Sequence, residues 1–187
     1  MIKEIVRKNR SYRRFHEEYP VSEEVLTELV DLARCSGSAA NLQPLKYKLV
    51  YTHVECEKVF STLGWAGYLQ DWIGPEKGER PAAYIIMLSD KPDNKYTLCD
   101  AGIACQSILL GAVEKGLGGC MFGSVKRDIL KELLNIPEEP ETLLVIALGK
   151  PKEVVKIEDV KDDNIKYYRD NNGVHHVPKR TLKNILV

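Results

Sequence analysis

Apolar residues recur along this chain with two different periods, and the switches between them mark out its elements. Ile2, Ile5 and Val6 lie at helical spacing and predict a short first helix ending near Asn9. Pro20 breaks the chain. Ser22 then suits an N-cap, with Glu23 and Glu24 in the first turn, where the helix dipole favours negative charge. The stripe Val25, Leu26, Leu29, Val30 and Ala33 carries this helix to about Arg34. A loop of small residues, Ser36-Gly37-Ser38-Ala39-Ala40-Asn41, follows and is stopped by Pro44. From Lys46 to Thr52 the period falls to two, with Tyr47, Leu49 and Tyr51 set against Lys46 and Lys48, the pattern of a half-buried strand.

A further helix is predicted over Glu55–Leu63, then a glycine- and proline-containing loop from Gly64 to Pro81 that holds both tryptophans. Ala82–Leu88 and Thr142–Leu148 are unbroken apolar runs and read as central strands. Between them Asp100–Lys115 has helical spacing and is apolar nearly all round, predicting a buried central helix ended by Gly116, Gly118 and Gly119. Cys120–Phe122 reads as a short strand. Lys126–Leu134, with Ile129, Leu130, Leu133 and Leu134 on one face, reads as an amphipathic helix ended by Pro137. Val155–Val187 is charged, without a strong period. Its apolar residues (Tyr167, Tyr168, Val174, Val177, Leu182, Ile185, Leu186) are too many for disorder and need a surface, which a partner subunit would supply.

Composition narrows the class. A chain of 187 residues, 44% hydrophobic and 29% charged, suits one domain with a proper core. Net charge is zero, so no global field draws the chain to nucleic acid or to an anionic membrane, and any anion site must be built locally. No signal segment is visible and the most apolar stretch, Ala101–Val113, is short for a bilayer, so a cytoplasmic protein is expected. Five cysteines without a C-x-x-C, and four histidines without ligand spacing, suggest neither disulfides nor a metal site. Cys99 and Cys105 read as small core residues, Cys120 as a residue that could be exposed, and His175–His176 as part of a polar tail.

Two basic clusters remain: Arg7, Lys8, Arg10, Arg13 and Arg14, interleaved with Ser11, and Lys179-Arg180 near the C-terminus. Guanidinium forks and a hydroxyl match phosphate oxygens, although on the clusters alone a solvated basic face is the simpler reading. No nucleophile–base pair or proton-donating dyad is evident, so no catalytic side chain is assigned. Trp65, Tyr68 and Trp72 lie in the glycine-containing loop, where aromatic rings could stack on a planar substrate.

The order of motifs resembles the FMN-dependent nitroreductase family. Its opening R-x-S-x-R/K-x-F is matched by Asn9-Arg10-Ser11-Tyr12-Arg13-Arg14-Phe15, and its N-x-Q-P loop by Ser38-Ala39-Ala40-Asn41-Leu42-Gln43-Pro44. Asp100 to Gln106 matches D-x-G-x-A-x-Q. Gly116 to Gly123 matches the G-L-G turn near the flavin, Leu148-Gly149-Lys150-Pro151 the G-x-P strand end, and Lys179-Arg180 the basic tail. Asn9 stands where the family usually has Arg, so either Arg10 makes that phosphate contact or one contact is missing. The resemblance implies an α+β fold, a mainly antiparallel sheet flanked by helices, in an intertwined homodimer whose residues 151–187 pack on the partner. It implies FMN held by Arg10, Ser11, Arg13, Ser38, Ala39, Asn41, Met121, Phe122, Gly123, Lys179 and Arg180, with Trp65 and Tyr68 towards the substrate. It also implies ping-pong electron transfer from NAD(P)H, through flavin N5, to a nitro compound, quinone or enone. Another flavin chemistry on the same scaffold (reductive dehalogenation, flavin fragmentation) and a non-enzymatic FMN-storage module stay open as alternatives.

Overall fold

In the computed structural model, which describes residues 1–187, the two unbroken apolar runs are neighbours at the centre of one antiparallel sheet. The chain runs α1 (Ile2–Lys8), β1 (Phe15–His16), α2 (Glu23–Arg34), a 3₁₀ turn (Ala39–Asn41), β2 (Leu45–Val50), α3 (His53–Phe60), β3 (Ala83–Ser89) and α4 (Thr97–Glu114). It continues through β4 (Gly118–Phe122), α5 (Arg127–Leu134), β5 (Glu141–Pro151), β6 (Val155–Asp159), β7 (Tyr168–Arg169), β8 (His175–Lys179) and α6 (Leu182–Ile185). On one side β5 pairs with β3, and β3 with β2. On its other side β5 pairs with β4 along Val145–Gly149 and with β1 at Lys150 and Pro151. All of these pairs are antiparallel, as the α+β expectation requires.

Both faces of this sheet are covered, which is why β3 is buried along its whole length and shows no polar alternation. Ala83, Ile85 and Met87 face α2 and α4, together with Leu26, Leu29, Ala104 and Ile108. Tyr84, Ile86 and Leu88 face α3 and α5, together with Val59, Leu130 and Leu134. The period of two survives only as a choice between two cores. Helix ends follow local rules. Ser22 caps α2 by accepting from Val25 N–H, and Thr52 caps α3 through Glu55 N–H, starting that helix at His53 rather than Glu55. α4 stops at Gly116, whose φ of +73° lets Gly116 and Leu117 donate back to Val113 and Ala112, a Schellman closure.

Three expectations are corrected here. α4 is buried on one side only: Leu98, Cys99 and Ile103 are exposed, so Cys99 is not a core residue. Periodicity records that a residue is apolar, not whether the fold covers it. Cys120, on the core-facing side of β4, is itself buried, and burial raises its thiol pKa. The tail, read as having no strong period, holds three strands. β6 and β8 pair in parallel and β7 closes the other side of β8, a small sheet built within the chain, with α6 a single short turn after it. His175, expected in a polar tail, is 1% exposed. Pro178 hid the strand. It sits where β8 has run past β7, which pairs only with His175 and His176, so the missing N–H costs no ladder bond to β7. α4 has the length and composition to cross a bilayer, yet here its inner face packs under the sheet.

Candidate functional site

The segment after α1 is fixed to an edge of the main sheet. Ser11 bridges Gly119 of β4 in parallel, and Tyr12 N–H donates to the Gly119 carbonyl at 3.0 Å. Gly119 makes this close packing possible. A Cβ there would run into the Ala147 carbonyl of β5, so only glycine lets β4 lie this near. Gly118 likewise leaves room for the Tyr12 ring, 2.5 Å from where a Cβ would stand. Both glycines are accounted for by packing within the chain.

Beside this edge opens a cavity of about 330 Å³, lined by Asn9, Arg10, Ser11 and Arg13, by Gln106 and Leu109 of α4, by Met121 of β4, and by Tyr167, His175, Val177 and Lys179 of the tail. The last three are alternate residues of β8 and so share one face of it. The two basic clusters, distant in sequence, therefore meet at one cavity through Arg10, Arg13 and Lys179. Arg14 does not join them; it is bidentate to Glu79 (2.5 and 2.6 Å), and that pairing holds the Glu79 carboxyl down at about 2.

The cavity carries positive charge with no counter-charge of its own. Arg34, Arg80, Arg169 and Arg180 each pair with a carboxylate, as Arg14 does. Arg10, Arg13 and Lys179 form no salt bridge, and no Asp or Glu lines the cavity. Arg10 donates to the Val6 carbonyl at 3.0 Å, its Nε is buried without a partner, and burial lowers its pKa. Arg13 lies over the Tyr167 ring (4.9 Å) and donates to the Ser11 carbonyl (3.3 Å). Glu153 beneath it accepts from the Arg13 backbone N–H, 2.5 Å, and pairs with Arg169 rather than with the Arg13 guanidinium. Three cations whose partners are all neutral form a place for an anion.

A second cavity, about 190 Å³, lies behind the small-residue loop, between α2, β2 and the first half of α4. Asp100 organises it. Though 4% exposed, it accepts from Ser38 Oγ (2.6 Å) and Ala39 N–H (3.0 Å), while Ser38 Oγ accepts from Gln43 N–H at 3.0 Å. These bonds hold a loop in which Ala40, Asn41 and Gln43 all have φ near +50°. Outside glycine that region costs roughly 1–3 kcal/mol per residue, least for Asn, and such strain collects at functional sites. The two cavities share no residue. Asp100 and Gln106 are six positions apart on α4, about 9 Å along its axis and some 120° apart around it. Within one chain the Ser38–Asn41 loop and the basic cavity do not meet.

The remaining residues fall as follows. Met121 lines the basic cavity, whereas the Phe122 side chain is buried in the core on the α3 and α5 side, 4.7 Å from the Trp65 ring. Gly123 is open, with nothing near its missing Cβ. Arg180 pairs with exposed Asp163 and does not line the cavity. Trp65 packs with Phe60, Trp72 and Phe122, so its ring belongs to the core. Tyr68 is exposed and lies 4.9 Å from Tyr167, next to the cavity. Neither His175 nor Glu153 stood out in the sequence as a site residue, while Asp100 and Gln106 entered only as the ends of a motif, and Tyr167 and Val177 only as apolar residues needing a surface. The period of two in His175, Val177 and Lys179 was the available signal for the tail residues.

A family profile described as the Nitroreductase family matches residues 6–150. A relative from Methanothermobacter thermautotrophicus, provisionally named a NADH dehydrogenase/NAD(P)H nitroreductase, is 27% identical over 165 residues, covering 85% of this chain and 82% of its own. An iodotyrosine deiodinase from Thermotoga neapolitana is 23% identical, covering 82% of this chain and 90% of its own. Among solved structures, an FMN-dependent nitroreductase from Clostridium difficile R20291 superposes with a TM-score of 0.66 at 22% identity, covering 90% of this chain and 98% of the other. With the profile spanning most of its length and the whole fold superposing on such a structure, the chain belongs to the nitroreductase family.

Proposed function

We propose that this chain is an FMN-dependent oxidoreductase that passes electrons from NAD(P)H to a small organic acceptor, working as a cytoplasmic homodimer. The observation that carries the reading is the set of unpaired cations, Arg10, Arg13 and Lys179, around a cavity with no carboxylate. FMN fits this donor set. Arg10, Ser11 and Lys179 suit a dianionic phosphate, and the unpartnered Arg10 Nε offers one more donor. Arg13 suits the polar pyrimidine end, where a positive charge favours the reduced, anionic flavin, and Leu109 and Met121 suit an apolar edge. Bound there, the cofactor supplies hydride-transfer chemistry at N5 between NAD(P)H and an acceptor such as a nitro compound, quinone or enone.

The Ser38, Ala39 and Asn41 loop would complete the site from the partner, which is why it is held in a strained shape away from its own basic cavity. The dimer would form over the exposed side of α4 (Leu98, Ile103) and the exposed Leu182, Ile185 and Leu186 of the tail. On this reading residues 1–187 form one domain, and 151–187 continue from their own small sheet onto the partner. Tyr68, beside Tyr167, would meet a planar substrate, while Trp65 would support the loop from below. NAD(P)H and the acceptor would use the same open face in turn, the structural basis of a ping-pong sequence.

Reductive dehalogenation is the second reading, favoured by the relative named iodotyrosine deiodinase. The test is direct. Flavin released on denaturation is identified by mass spectrometry, the holoprotein is mixed anaerobically with NADH or NADPH, and the bleached flavin is challenged with nitroaromatic, quinone and halophenol acceptors. Reoxidation by the first two supports the proposal. Reoxidation by the halophenol alone selects dehalogenation, and FAD or no flavin after reconstitution with FMN overturns both.

A further inference from the structure

The Arg13 guanidinium has a third neighbour besides Ser11 and Tyr167. Its Nη1 lies 3.4 Å from His175 Nε2, and the His175 ring stands 5.2 Å from Tyr167. His175 is 1% exposed and lies on the face of β8 that lines the basic cavity. We propose that His175 is the positioning residue for Arg13, a neutral imidazole whose bare Nε2 accepts from the guanidinium and holds it towards the cavity without spending its charge. This inference rests on the flavin reading of the cavity and names how one of its contacts is set.

Donors and acceptors fix the tautomer of the ring. Arginine can only donate, so Nε2 facing it must carry no proton, and the ring proton then sits on Nδ1, which is buried without a partner. The opposite tautomer would set two N–H groups against each other. Protonation would place a third cation beside Arg13 and Arg169. Burial, with Arg13, Arg169 and His176 nearby, accordingly pushes the His175 pKa down to about 4. The facing groups from every packed element agree with this. Tyr167 is neutral, Arg169 of β7 is taken up by Glu153, and Glu153 bonds the Arg13 backbone rather than its guanidinium. A carboxylate at position 175 would hold Arg13 as well but would cancel its charge. A neutral acceptor leaves that charge for the ligand.

The test uses side chains that place an acceptor at different depths. Gln carries its amide near the level of Nε2, Asn near that of Nδ1. On FMN-titrated apoprotein, His175→Leu is expected to weaken FMN roughly tenfold, His175→Gln to stay within about threefold of wild type, and His175→Asn to follow His175→Leu. In an Arg13→Ala background His175→Leu should add nothing, because the histidine acts through the arginine. Equal rescue by Asn and Gln, or additive losses in the double variant, would overturn the proposal by making His175 a packing residue. Nitrogen-15 NMR of the ring decides it even where a variant does not fold or wild type takes no FMN. The neutral Nδ1–H form throughout pH 5.5–8 supports the assignment, and a proton on Nε2 overturns it. Failure of wild type to bind FMN, with that tautomer present, would refute the flavin reading and leave the Arg13 contact standing.

Discussion

Asp100→Ala should loosen the Ser38–Pro44 loop at a cost that the hydrogen bonds allow one to work out. The carboxylate accepts from the Ser38 hydroxyl and from Ala39 N–H, both charge-assisted, and Ser38 in turn takes the Gln43 N–H. Each bond to a charged group contributes about 1.5–3 kcal/mol. Ser38 and Ala39 are only half-buried and can recover water once the loop moves, so the sum belongs at the lower end, roughly 3 kcal/mol. That is comparable with the roughly 2–6 kcal/mol of strain in holding Ala40 and Gln43 at positive φ, so without Asp100 the loop relaxes rather than persisting unsupported. Asp100→Asn keeps one acceptor and should cost about half as much. Urea denaturation at fixed protein and FMN concentrations gives the free energy, and hydrogen exchange at Ala39 and Gln43 gives the local effect. An Asp100→Ala protein within about 0.5 kcal/mol of wild type, with both amides still protected, would refute the reasoning.

Other outcomes follow from the same structure. Gly119→Ala forces a methyl into the Ala147 carbonyl and 2.7 Å from a Leu109 methyl, so β4 must part from β5, at roughly 2–3 kcal/mol by thermal or urea unfolding. Lys179→Ala should weaken FMN about tenfold, while Arg180→Ala, which breaks only an exposed pair with Asp163, should leave FMN titrations nearly unchanged. His176 lies between Glu158 (2.9 Å) and Asp170 (3.3 Å), which raise its pKa above the ordinary 6.5. Its contribution is complete below 6.5 and is lost as pH rises through the raised value. Glu158 and Asp170, lowered by their bonds, lose theirs as pH falls below the carboxylate range. Proteolysis of the tail sheet should therefore be slowest between about pH 4.5 and 6.5, and His176→Ala should flatten the rise on the alkaline side.

What could be read in the sequence divides along physical lines. β3, β5, α2 and α5 were legible because each contributes a strong apolar period or an unbroken run to a core within the same chain. The outer side of α4 was misjudged because Leu98 and Ile103 are as apolar as core residues. The tail sheet escaped because β6 to β8 are short, charged and half-exposed, with Pro178 inside the strand that supplies His175, Val177 and Lys179. The site was legible as two basic clusters. The family resemblance already put both on one cofactor, but how they meet within one chain was not legible, because it depends on β8 returning beside the segment that follows α1. Nor was the anchoring of the Ser38 loop, since nothing local to Asp100 shows that it is buried beneath that loop.

On the proposed reading, Arg10, Arg13 and Lys179 are left unpaired for a flavin phosphate and its polar ring end. Titrating flavin-free protein with FMN and with riboflavin, which lacks the phosphate, tests it most directly. Losing two or more charge-assisted contacts at about 1.5 kcal/mol each should make riboflavin bind at least a hundredfold more weakly. Equal affinity for the two flavins, or no binding of either, would contradict the account.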